Sequence, residues 1–274
     1  MKRLWLVLNV ASGSTSADIV DAFDRACASF EIVGRTNFPA DDLPDAATLD
    51  RAGCDTLVVF GGDGTINAAT ARADDWAGGC LVLPGGTMNG LAKALHGDRG
   101  WADILRLAPG APVVHPPVAV AGTHRGLVGV ILGPAAAWFH ARERVREGAI
   151  ARLGRALRFA MRKTFARTVR VVGDPGHAGR YRAIIVTPLA HDLEVASIRT
   201  STWLAAARLG FDWLLGNWRG SRDVSVSHAP SVELASSRTV SALFDGEPVK
   251  LRSPVTIVHA LTRLGFVATR DQPG

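Results

Sequence analysis

The sequence predicts an α/β domain followed by a second, mainly β domain. Three observations lead there. Over the first hundred residues short β-rich runs alternate with stretches of helical period; the runs, such as Thr56-Leu-Val-Val-Phe60, are apolar without alternation; and beyond Pro109, Pro112 and Pro116-Pro117 the texture becomes Val- and Gly-rich. Strands that are apolar throughout are those covered on both faces in a parallel sheet of βαβ units. Short strands separated by turn residues belong to antiparallel β structure.

In order, Leu4 to Val10 reads as the first strand and Ala17 to Phe30 as the first helix. In that helix Ile19, Phe23, Ala26 and Phe30 form one apolar stripe, while Asp18, Asp21 and Arg25 face water. Glu31 to Arg35 is the second strand, Asp42 to Ala52 a helix, Thr56 to Phe60 a strand and Thr65 to Ala73 a helix. Cys80 to Leu83 and Asn89 to His96 continue the alternation as strand and helix. The β texture that follows takes in Val113 to Val120, Gly126 to Leu132, Tyr181 to Thr187 and Val224 to Val232. Two stretches of helical period interrupt it, Ala135 to Ala166 and Ser201 to Trp218.

A chain of 274 residues, 47% hydrophobic and 20% charged, has the makings of two globular domains with cores of their own. Its apolar runs stop short of the roughly 18–20 residues that span a bilayer, and Leu4 to Val10 is a strand, not a leader. Cys27, Cys54 and Cys80 are widely spaced without a CxxC or Cys/His cluster, which indicates neither a disulfide framework nor zinc and makes a reducing compartment the default. A net charge of +6 suits an anionic membrane surface, a phosphorylated substrate or nucleic acid. The chain carries no helix-turn-helix, zinc-finger or RNA-recognition signature, so nucleic acid is not expected.

Ligands of parallel α/β sheets collect beyond the carboxyl ends of the strands. Here those ends read Asn9-Val-Ala-Ser12-Gly13, then Thr36, then Gly61-Gly62-Asp63-Gly64-Thr65-Ile66-Asn67, then Pro84-Gly85-Gly86-Thr87-Met88-Asn89. The last two share Gly-Thr-x-Asn at a strand-to-helix junction. Glycines let the backbone approach an anion, and threonine hydroxyls and helix N-terminal amides can donate to phosphate oxygens. A single such turn could equally be a tight turn with a threonine cap. Two on neighbouring strands argue for phosphate. Asp63 would repel a bare polyphosphate, so its place among these amides points to a divalent cation or to an attacking hydroxyl whose proton it accepts, both features of phosphoryl transfer. No Gly-Lys-Ser/Thr and no GxGxxG in a first βα turn occurs, which disfavours P-loop and ordinary dinucleotide-binding readings.

With these residues in view, the chain resembles the diacylglycerol kinase catalytic domain family, a lipid kinase group that includes sphingosine and ceramide kinases and is distantly similar to NAD kinases. Phe60-Gly-Gly-Asp-Gly-Thr-Ile-Asn67 matches its most specific motif and Leu83-Pro-Gly-Gly-Thr-Met-Asn-Gly-Leu-Ala-Lys-Ala-Leu95 its second. Asn9 to Gly13 is similar to its first motif, and Phe244-Asp245-Gly246-Glu247 to its last.

The resemblance implies a Rossmann-like α/β nucleotide-binding domain over residues 1–111, a β-sandwich lipid domain over 112–254, a tail from about 255 to 274 packing back on the first, and an active site in the cleft between them. It implies that ATP phosphates are held by Asn9, Ser12, Gly13, Thr36, Gly61 to Thr65, Asn67, Gly86, Thr87 and Asn89. Asp63 would serve metal or hydroxyl chemistry with Mg²⁺, and Glu247 assisted by Asp245 would be the base. Without the resemblance, Asp245-Gly246-Glu247-Pro248 reads as a hairpin turn. Val10, Ala68 and Gly90 depart from the family's pattern. An NAD-kinase-like enzyme and a non-catalytic lipid or nucleotide sensor of the same fold therefore remain as alternatives to a lipid kinase acting on diacylglycerol or a sphingolipid such as ceramide.

Ten Arg or Lys and only two acids fall between Arg142 and Arg170, interleaved with Leu153, Leu157, Phe159, Met161 and Phe165. Such an amphipathic cationic stretch either docks on anionic headgroups or is a solvated helix with an ordinary core face. Trp203, Ala207, Phe211, Leu214 and Trp218 also recur at helical spacing, as a lipid-entry helix or as core. The expected partners are a lipid substrate and an anionic membrane surface, with a homodimer allowed, and the expected location is cytoplasmic at the inner face of the membrane.

Overall fold

The computed structural model describes residues 1–9, 17–86, 88–133, 168–172, 179–199, 224–236 and 239–270. The two expected helical insertions, together with Ser12, Gly13 and Thr87, lie outside the described residues. The chain divides into two units, Met1–Pro116 with Leu261–Gly274, and Pro117–Ala260.

The first unit alternates as the hydrophobic pattern predicts: β1 (Arg3–Asn9), α1 (Ala17–Cys27), β2 (Glu31–Phe38), α2 (Ala46–Arg51), β3 (Thr56–Gly61), α3 (Asp63–Arg72), β4 (Gly79–Pro84) and α4 (Gly90–His96). One element was not expected, α5 (Trp101–Leu107); the short β5 (Val113–Val114) falls in the β texture expected from Val113 but joins the first sheet, and β18 (Gly265–Val267) returns from the far end of the sequence. The sheet order is β2-β1-β3-β4-β18-β5. All its pairings are parallel except β18 with β5. Every residue of β3 is buried, as its unbroken apolar run requires of a strand covered on both faces. On one of those faces Phe60 packs with Phe23 of α1 and Trp101 of α5, at centroid distances of 5.4 and 5.9 Å. This contact explains α5: the residues after His96 gain their helical form by covering an aromatic left open on the central strand. The start of α2 is fixed locally by Asp45, whose carboxylate accepts from the Thr48 amide at 2.9 Å.

The second unit comprises β6 (Pro117–Ala121), β7 (His124–Gly126), β8 (Val130–Leu132), β9 (Val169–Val172), β10 (Gly179–Tyr181), β11 (Ala183–Pro188) and β12 (Leu193–Ile198). It continues with β13 (Val224–Ala229), β14 (Ser231–Ala235), β15 (Thr239–Phe244), β16 (Glu247–Arg252) and β17 (Val255–Leu261). They form two six-stranded sheets, β10-β9-β14-β17-β6-β7 and β13-β12-β11-β8-β15-β16. One buried apolar cluster draws on both, with Ala119, Leu234 and Ile257 from the first sheet and Val130, Ile184 and Val240 from the second. The return to the first unit, expected near 255, comes later: β17 still pairs with β14, and the crossing falls at Leu261.

All three cysteines are free, and burial pushes the Cys27 and Cys54 thiols up to about 11, which leaves them protonated and unreactive. No helix among the described residues is long and apolar enough to cross a membrane.

Candidate functional site

The two glycine-rich turns sit side by side at the carboxyl ends of β3 and β4, which pair in parallel through Gly61 and Pro84. The Gly85 amide donates to the Gly61 carbonyl at 3.1 Å, extending the ladder one step into the loops. A Cβ on Gly86 would lie 2.6 Å from the Gly62 Cα, and one on Gly85 2.9 Å from the Gly61 nitrogen. Gly85 and Gly86 therefore have no room for a side chain against Gly61 and Gly62, whereas a Cβ on Gly61 would press on Thr65 at 3.0 Å and one on Gly62 would meet the Gly86 Cα at an ordinary 3.5 Å. From this ridge α3 begins at Asp63 with Gly62 extended at its N-cap, and the first intrahelical bond runs from the Ile66 amide to the Gly62 carbonyl. The amides before Ile66 are those a helix cannot satisfy internally, and they present positive partial charge to an anion.

Asn9 at the end of β1 donates from Nδ2 to the Thr65 hydroxyl oxygen at 2.8 Å, which ties a third strand end to the same turn. A hydroxyl oxygen that accepts in this way can still donate its proton onward. Asn67 lies half-buried on α3. Thr36 is placed differently from the expectation. It is 1% exposed and its oxygen accepts from the Trp5 indole at 3.0 Å, so it offers no open surface to a phosphate. Trp5 reaches it by lying across Gly34, where a Cβ would be 2.2 Å from the ring. A register shift between Leu4 and Trp5 accompanies this packing.

The Asp63 carboxylate points to the neighbouring loop: Oδ2 accepts from the Gly90 amide at 3.0 Å and Oδ1 from the Leu91 amide at 3.2 Å. Asn89, the residue expected to face a ligand, has φ 51° and ψ 41° and closes its own turn. Its Oδ1 accepts from the Gly86 amide at 2.7 Å and its Nδ2 donates to the Gly86 carbonyl at 2.8 Å. Asp63 is thus a capping residue of α4 supplied from another loop. Groups of three or more His, Cys, Asp or Glu able to hold a metal do not occur among the described residues.

Residues 3–110 match the family model described as diacylglycerol kinase catalytic domain. This segment, less than half of the chain, is similar to that family. Over the whole chain, the fold is similar to that of a diacylglycerol kinase from Bacillus anthracis str. Sterne at 16% identity, covering 97% of each chain with a TM-score of 0.65. It is also similar to an NAD kinase from Archaeoglobus fulgidus in complex with ATP, at 12% identity and a TM-score of 0.54, covering 98% of this chain and 94% of that one. No match was found among curated proteins.

Behind the kinase-family motifs, His96 at the end of α4 is fully buried and holds the returning chain, its Nδ1 facing the Thr269 hydroxyl at 3.0 Å and the Thr269 amide at 3.3 Å. Burial, reinforced by the Arg99 guanidinium, pushes its imidazole down to about 4.

In the second unit Asp245 and Gly246 form the two-residue turn between β15 and β16, with φ of 48° and 91° and Phe244 paired to Glu247. Positive φ at both positions is the hairpin turn that Asp-Gly favours. The Asp245 carboxylate accepts three backbone amides, from Leu127 at 2.8 Å, Val128 at 2.9 Å and Gly129 at 3.0 Å. In this arrangement the carboxylate is a clasp that holds residues 127–129 to the hairpin. Glu247, one residue beyond the turn, is exposed. Sequence reasoning missed both carboxylate clasps, since their partners lie 27 to 118 residues away and carry no side-chain signal.

Proposed function

We propose that the protein is an ATP-dependent kinase that phosphorylates the primary hydroxyl of a membrane lipid, diacylglycerol or a sphingolipid such as ceramide. The interlocked glycine pairs beside the α3 N-terminus carry this reading. They make a surface that phosphate oxygens can approach closely, with Thr65 poised by Asn9 as a further donor. The ATP bound to the NAD kinase of similar fold supports the choice of nucleotide. The family matched by residues 3–110 favours a lipid acceptor over a soluble dinucleotide. In this reading the amides and Thr65 orient the transferred phosphoryl group, and Glu247, free at the solvent surface of its hairpin, takes the proton of the acceptor hydroxyl. Magnesium would enter with the nucleotide phosphates. A peripheral seat on anionic lipid follows from the basic sequence between Arg142 and Arg170.

The test is transfer of label from radiolabelled ATP to vesicles containing diacylglycerol, ceramide or a sphingoid base, with NAD offered in parallel. Labelled lipid is expected, and Glu247→Gln should lower its formation roughly 10²- to 10⁴-fold while leaving nucleotide binding intact. Label on NAD alone would make the protein an NAD-kinase-like enzyme. Nucleotide binding without transfer to any acceptor would make it a sensor.

A further inference from the structure

We propose that Asp63 is a positioning residue that locks the two glycine loops into one phosphate-binding surface, rather than the group that receives the acceptor's proton. The inference deepens the kinase reading and rests on it for its consequence in turnover, but its structural core stands alone. Helix α4 has no cap of its own. The residue at its N-cap position, Asn89, is left-handed, makes no capping bond to the helix, and commits both ends of its amide to Gly86. The next residue is Gly90, which has no side chain. The α4 amides at Gly90 and Leu91 are satisfied instead by the two oxygens of Asp63, from the first turn of α3.

The consequence is mechanical. Gly85 and Gly86 rest on Gly61 and Gly62 with no room for a side chain, so the two loops hold their spacing by backbone contact on one side. The Asp63 carboxylate adds a tie between α3's first turn and α4's. Remove it, and α4's first turn is free to fray, taking with it the turn that Asn89 closes onto Gly86. The charge also has a purpose at this place. The Asp63 oxygens meet the positive end of α4 at the Gly90 and Leu91 amides.

The experiment compares the full-length protein with Asp63→Asn and Asp63→Ala. Asparagine keeps one carbonyl acceptor and alanine none. Native-state hydrogen exchange at Gly90 and Leu91 should therefore quicken in the order wild type, Asn, Ala, by roughly tenfold to hundredfold for each bond lost. The KM for ATP should rise in the same order, while the kcat of Asp63→Asn stays within about tenfold of wild type and the pH profile of kcat keeps its shape. A proton acceptor would behave otherwise: both variants would lose kcat equally and the acid limb of the profile would vanish, with exchange at Gly90 and Leu91 unchanged. That outcome overturns the proposal. If the wild type transfers phosphate to no acceptor, the kinase reading fails, yet exchange at the two amides still decides whether Asp63 is the lock. If Asp63→Ala does not fold, Asp63→Asn with the exchange measurement suffices.

Discussion

Replacing Asp245 tests whether that carboxylate is a structural clasp or part of the chemistry. Its two oxygens satisfy three backbone amides, at Leu127, Val128 and Gly129, in a residue that also holds a left-handed φ of 48°. Asp245→Asn keeps the tolerance for positive φ and one carbonyl oxygen, which can still serve Val128 and Gly129, since both bind the same Oδ1. Its amide nitrogen would face the Leu127 N–H, donor against donor. The loss is one charge-assisted bond, about 1–3 kcal/mol. Asp245→Gly abandons all three amides but accepts the backbone angle freely, at a cost of about 3 kcal/mol. Asp245→Ala abandons them and adds about 1–2 kcal/mol for a Cβ in the left-handed region. The expected order of stability is wild type, Asn, Gly, Ala, read from urea unfolding followed by circular dichroism, with faster hydrogen exchange at 127–129 as the local signature. If Asp245→Asn unfolds with the wild type and yet loses phosphoryl transfer, the clasp argument is wrong and the carboxylate acts in the reaction.

Further outcomes follow from the first unit. The imidazole of His96, ordinarily near 6.5, is held down to about 4, so the folded protein resists a proton that the unfolded chain accepts; stability is full above about 6.5 and declines as pH falls toward 4. Between about pH 8 and pH 5 the loss should approach 2 kcal/mol, and His96→Gln should flatten that slope; an unchanged slope would show that His96 is not its source. Gly86→Ala, forced against the Gly62 Cα, should cost about 1–3 kcal/mol and weaken ATP binding, as calorimetry would show; a neutral result would mean that the loops are not in contact. Asn9→Ala frees the Thr65 hydroxyl from its orienting donor and should raise the KM for ATP about fivefold. An unaltered KM would remove Asn9 from the site.

Much of the first unit was legible because its signals are local. The unbroken apolar run at 56–60 declares a strand covered on both faces, and the doubled glycines after β3 and β4 mark close approach, although only the structure shows that the glycines approach each other. Sequence cannot show a residue's partner where that partner is remote in the chain. Thr36 is a plausible phosphate ligand by position, but Trp5 from the neighbouring strand takes its oxygen. Asp63 carries a charge that sequence reasoning assigns to chemistry, whereas backbone amides 27 and 28 residues away receive it. Backbone donors have no sequence signature, so a carboxylate that binds them is indistinguishable from one that binds metal. Asp245 was half legible: Asp-Gly between two β-rich runs foretold the turn, and nothing foretold the clasp. The helix α5 escaped because its apolar face answers Phe60 and Phe23 rather than a long run of its own.

The place of β18 in the first sheet governs how this protein can be made. It lies between β4 (Gly79–Pro84) and β5 (Val113–Val114), both of which are synthesised well before Gly265–Val267. Until Gly265–Val267 emerge, β4 presents an open row of backbone donors and acceptors while the second unit is synthesised. The nascent chain therefore holds its glycine-rich loops on an unfinished sheet, and the first unit should complete its fold only once Gly265–Val267 are available rather than on completion of the segment that carries the motifs.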